Sequence, residues 1–143
     1  MQRNPYQQYQ TTQVKTASTG ELVLLLYDAA LRALTRAMQA LEERNFEVAG
    51  AQLVRAQEIV MELNFGVDLE QGGELAVNLR RLYEFMYHHL LQANMKKDVE
   101  AVRHVSGLLE QLRGAWRVVV QGAPAAAHAP QVAPRALAGS MAA

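Results

Sequence analysis

Apolar residues recur at helical spacing from residue 18 to residue 120, without a strand-like alternation and without a proline between Pro5 and Pro124. Four helices are predicted. Ser18-Thr19-Gly20-Glu21 has the form of a capping box and opens a helix expected to reach about Arg44. Asn45 is placed as the N-cap of a second, which runs to Asn64 or Phe65 and is ended by Gly66. Residues 66–73 form the one long connection, a third helix covers about Glu74 to Asn94, and Asp98 caps a fourth from Val99 to about Val120. Helices of roughly 20 residues are about 30 Å long. Short links make neighbours antiparallel, so the expected fold is all-α, an up-down four-helix bundle.

The apolar content exceeds what one core needs. On the first helix, Leu22, Leu25, Leu26, Ala29, Ala33, Ala37 and Ala40 make a core stripe, while Leu24, Tyr27, Leu31, Leu34 and Met38 make a second one. On the second, Phe46, Ala49, Leu53, Ala56, Val60 and Leu63 point inward, flanked by Val54, Met61 and Phe65. The third buries Leu75, Leu79, Leu82, Tyr83, Met86, Leu90 and Ala93, with Phe85 and Leu91 to either side. Trp116 shares a face with Val102, Val105, Leu109 and Leu112, which makes it core. Surplus stripes form packing seams or grooves that accept an amphipathic partner helix. Residues 1–17 are polar with Tyr6, Tyr9 and Val14 as isolated apolar points and read as an extended N-terminal arm; residues 121–143, rich in Ala and Pro, read as a disordered tail.

Charge narrows the classes of partner. Fourteen Lys and Arg balance fourteen Asp and Glu, so nothing favours nucleic acid, and no apolar run is long enough to insert in a membrane. The absence of Cys excludes disulfides and thiolate metal sites, and the cytoplasm is the expected compartment. Chemistry is sparse. His88, His89, His104 and His128 do not form the Glu-x-x-His pairs of a di-iron bundle, and Glu84–His88 and Glu100–His104 read as surface pairs. Gly72-Gly73 lacks the strand and Lys of a phosphate loop, and Glu42-Glu43 is helix-end charge. No catalytic residue, metal or cofactor is expected. The competing classes are a phosphotransfer bundle using His104 and a structural oligomer that buries the surplus stripes against its own copies.

Particular words along the chain resemble a known family. Asn4-Pro5-Tyr6-Gln7-Gln8-Tyr9, Val14-Lys15-Thr16-Ala17-Ser18, Glu21-Leu22 and Leu25-Leu26-Tyr27-Asp28 come first. Ala56 to Val60, Glu62-Leu63-Asn64, Leu82 to Met86, Leu90 to Asn94, Asp98, Leu108-Leu109, Leu112-Arg113 and Trp116 follow in order. Together they resemble the flagellin-specific export chaperones, the FliS family, over roughly residues 4–120. Thr19 and Ala29 depart from the family's usual Pro and Gly, and both suit a helix.

The resemblance implies a cytosolic, non-enzymatic bundle that binds the C-terminal segment of unfolded monomeric flagellin. It would prevent premature polymerisation and deliver its cargo to a component of the flagellar type III export gate. Free, it is expected to be a monomer or weak homodimer. The expected partner-binding residues are Tyr6, Tyr9, Val14, Leu24, Leu31, Leu34, Met38, Val54, Met61, Phe65 and Phe85.

Overall fold

The structure, a computed structural model, describes residues 19–122. Four helices follow one another: α1 (Thr19–Glu42), α2 (Phe46–Phe65), α3 (Leu69–Lys96) and α4 (Val99–Gln121). Each packs against the next and α4 returns to α1, which closes an up-down ring. The α3–α4 seam is the thinnest of the four. Among the described residues there is no strand, and no helix is long and apolar enough to cross a membrane. The arm, Ser18 and the tail beyond Gly122 lie outside the described residues.

Local chemistry sets the helix ends. Asn45 Oδ1 accepts from the Val48 N–H at 3.3 Å, and Asp98 Oδ1 accepts from Glu100 and Ala101 at 3.1 and 3.3 Å. α1 stops two residues short of the expected Arg44, because Arg44 adopts a left-handed conformation (φ 59°) that lets the Asn45 N–H return to the Ala40 carbonyl at 2.8 Å. Lys97 (φ 57°) ends α3 in the same way, with the Asp98 N–H on Ala93. Arg44 and Lys97 both lie over the Phe46 ring, 5.2 and 5.3 Å from its centroid, so the two loops at that end meet on one aromatic side chain.

The expected connection at residues 66–73 is partly helical. Asp68 Oδ1 accepts from Glu70 and Gln71 at 3.0 and 3.2 Å and starts a turn at Leu69. Gly73 then kinks the chain at φ 59°, ψ −139°, a conformation that side chains other than glycine's resist. The continuous part of α3 therefore begins at Glu74, as the sequence pattern predicts.

The core corrects the division of α1 into two stripes. Tyr27 and Leu34, assigned to the surplus stripe, are fully buried, whereas Leu22, Leu25 and Ala29, assigned to the core stripe, are half-buried. The inward face is Leu26, Tyr27, Ala30, Ala33, Leu34, Ala37, Ala40 and Leu41. Opposite it, the expected α4 face of Val102, Val105, Leu109, Leu112 and Trp116 is wholly buried. Trp116 Nε1–H donates to the Gly20 carbonyl at 2.7 Å, and α4 comes so close there that a Cβ on Gly20 would meet Val120 Cγ2 at 2.7 Å.

At the centre, the Tyr27 and Tyr83 hydroxyls share a hydrogen bond of 2.5 Å across the α1–α3 diagonal. Burial raises both phenols above their ordinary pKa; the Tyr83 phenol adds to the shift in Tyr27, while the shared bond offsets part of it in Tyr83. Up to about pH 10 the tyrosines are neutral in both folded and unfolded chains; above it only the unfolded chain ionises, so stability is lost as pH rises. Urea melts at pH 8 and at about pH 11 should show that loss, and the Tyr27→Phe/Tyr83→Phe double variant should show a smaller one. Equal losses would mean the pair is not the cause.

Two glycines make a second, opposite-signed test. A Cβ meets nothing within 4 Å at either Gly73 or Gly107, so only backbone terms act. Gly73→Ala should cost about 1–3 kcal/mol through its strained dihedrals. Gly107→Ala, in the middle of α4, should gain about 0.5–1 kcal/mol in the same denaturation assay.

Candidate partner-binding groove

The seam between α2 and α3 is fixed by polar contacts. Gln57 Nε2 donates to the Tyr87 carbonyl at 3.4 Å, Arg80 Nε donates to Asn64 Oδ1 at 3.2 Å, and Gly50 leaves room for the Asn94 amide. At 100° per residue, Val54, Met61 and Phe65 fall on the outer edge of α2 on the α3 side, and Tyr87 and Leu91 fall on the facing edge of α3. Val54 is 47% exposed, Phe65 69% and Leu91 42%, while Met61 and Tyr87 are half-buried. This groove runs along the bundle with the exposed Glu84 on its α3 edge between Leu91 and Arg80, and with Arg80 and Asn64 at the α2 C-terminal end. The neighbouring Glu62, whose carboxyl is raised by desolvation, is turned about 100° away from Met61.

The other expected contact residues separate onto different surfaces. Leu24, Leu31 and Met38, seven apart, are half-buried against the core along the α1–α4 seam. There the Arg113 guanidinium pairs with Asp28 and the Arg103 guanidinium lies 3.9 Å from Met38 Sδ. An open cleft of about 480 Å³ beside Leu31 is lined by Arg32, Arg36, Arg113, Asp28 and Glu110, so charged side chains ring the apolar surface of this seam. Leu34 is a correction: with no exposed surface it has nothing to offer a partner, because the α1 face through Tyr27, Leu34 and Leu41 turns into the core. Phe85, 43% exposed, lies at the α3–α4 seam. It stacks on His89 with centroids 5.0 Å apart and meets His104 edge-on at 6.0 Å, and the two imidazoles are 5.4 Å apart. Glu100 turns to Arg103 at 3.4 Å rather than to His104. Tyr6, Tyr9 and Val14 lie outside the described residues.

Of the eight described candidates, the structure brings together Val54, Met61 and Phe65. Leu91 completes the groove; its sequence signal was its place beside the inward face of α3. Met95, 73% exposed, is a further apolar residue at the far end of α3. Among the described residues no three His, Cys, Asp or Glu side chains converge as metal ligands.

A family model described as flagellar protein FliS matches residues 2–123. The chain belongs to the FliS family. The flagellar secretion chaperone FliS of Bacillus subtilis (strain 168) is 39% identical over 119 residues, 83% of this chain and 88% of the relative. That of Salmonella typhimurium (strain LT2) is 40% identical over 107 residues, 74% of this chain and 79% of the relative. The Escherichia coli (strain K12) protein is 38% identical over 105 residues, 73% and 77% respectively. The role these FliS relatives are named for is that of a chaperone, not an enzyme, which agrees with the lack of catalytic motifs in the sequence.

Core and groove are separable by stability alone. Leu34→Ala should cost about 2–5 kcal/mol in a urea melt. Val54→Ala and Phe65→Ala should each change stability by less than about 0.5 kcal/mol. A large loss at Phe65 would place it in the packing rather than on a free edge.

Proposed function

We propose that this protein captures the C-terminal segment of unfolded, monomeric flagellin, keeps it from polymerising in the bacterial cytosol, and hands it to the flagellar type III export apparatus. The observation that carries this reading is the row of exposed apolar side chains, Val54, Phe65 and Leu91, along one seam of a FliS-family bundle. A soluble bundle leaves such a row uncovered at a cost in solubility, and an amphipathic helix covers it with matching apolar residues at i, i+3, i+4 and i+7. Binding of this kind blocks assembly by occupying the face that flagellin uses against its own copies. Tyr6, Tyr9 and Val14 enter the proposal as an arm that competes for the groove.

Calorimetric titration with a peptide of the flagellin C-terminus from the same genome tests the reading, with light scattering on the mixture. Saturable one-to-one binding with a negative heat-capacity change is expected. Phe65→Ala should weaken it by about 1–3 kcal/mol, and removal of residues 1–12 should tighten it. A folded protein that shows no binding, or that light scattering shows as a dimer that does not dissociate on dilution, would overturn the proposal in favour of a structural oligomer.

A further inference from the structure

Val54, Met61, Phe65 and Leu91 give the α2–α3 groove its apolar side chains, the exposed Glu84 shares the α3 edge with Leu91, and the groove ends in donors. Arg80, half-buried, spends its Nε on Asn64 Oδ1 at 3.2 Å, which fixes the guanidinium plane, and its two terminal nitrogens have no partner among the described residues. Glu84, one turn further along α3, forms no ion pair with it. Asn64 is 1% exposed, and with its oxygen held by Arg80 its Nδ2 has no acceptor among the described residues. An unmet buried donor costs stability, and here it stands beside an uncompensated cation. Arg80 and Asn64 therefore form a donor-only corner at the point where α2 ends and Phe65 stands out from the bundle.

A donor-only corner with a braced guanidinium suits a carboxylate, which accepts two parallel N–H bonds from an Arg. Its position at the end of the groove selects the end of a bound segment rather than its middle. We infer that Arg80, positioned by Asn64, receives the terminal carboxylate of the captured chain. The segment then lies parallel to α2, with its apolar stripe on Val54, Met61 and Leu91, and its last turn at Phe65. In that direction the unpaired carbonyls and the negative end of its helix dipole also meet the guanidinium. This inference rests on the proposal that the cargo is a C-terminal segment.

The test uses two forms of the same flagellin C-terminal peptide, one ending in a free carboxylate and one in a carboxamide, each titrated into the full chain. With the wild-type protein the amide should bind about tenfold more weakly, the loss expected for a charge-assisted hydrogen bond. With Arg80→Gln the two peptides should bind alike, both near the affinity of the amide for the wild-type protein. Arg80→Lys keeps the charge without the brace and should recover only part of the preference. Equal binding of acid and amide to the wild-type protein, which needs no variant to fold, overturns the inference while leaving the cargo reading intact. So does an amide penalty that persists in a folded Arg80→Gln protein. Failure of both peptides to bind removes the cargo reading and this inference with it.

Discussion

The Tyr27–Tyr83 hydrogen bond is the constraint about which the bundle is arranged. An apolar core alone tolerates sliding and rotation of its helices, because one aliphatic contact replaces another at little cost. Two phenols buried hydroxyl to hydroxyl do not, since a shift leaves both hydroxyls without a partner in a medium where water cannot reach them. The bond spans the diagonal from α1 to α3, the two elements that share no seam in the ring. With α1 and α3 in fixed register, α2 and α4 fill the sides, and Trp116 closes the α1–α4 seam through its bond to Gly20.

Much of this was legible in the amino-acid sequence, and the reasons are local. Asn45 and Asp98 announced their helices because a cap is a contact between residues two or three apart. Trp116 was assigned to the core because its whole face on α4 is apolar. The helix ends at Arg44 and Lys97 were harder to place, since left-handed positions usually carry Gly or Asn and here carry long cations whose place is explained by the Phe46 ring between them.

Leu34 shows where periodicity runs out. Helical spacing tells which side chains share a face but not how many neighbours enclose that face, and α1 is flanked by α2 on one side and α4 on the other. Two residues of its surplus stripe, Tyr27 and Leu34, are therefore core, and the other three, Leu24, Leu31 and Met38, are seam. α2 was easier, because its inner face ends at Gln57 and Asn64 and what lies beyond is open. The Arg80–Asn64 corner carries no periodic signal. A buried amide bound to an arginine sixteen residues away appears only when two helices are laid side by side.

The Trp116–Gly20 bond also fixes how the bundle meets the rest of the chain. Residues 19 and 122 sit at the same end, so the segments before and after the helices join the fold side by side rather than at opposite poles. Tension between them acts across the α1–α4 seam instead of along it. A pull applied there would meet the Trp116–Gly20 bond before the contacts deeper in the seam. The pinned loops around Phe46 lie at the far end and are the last to feel the pull.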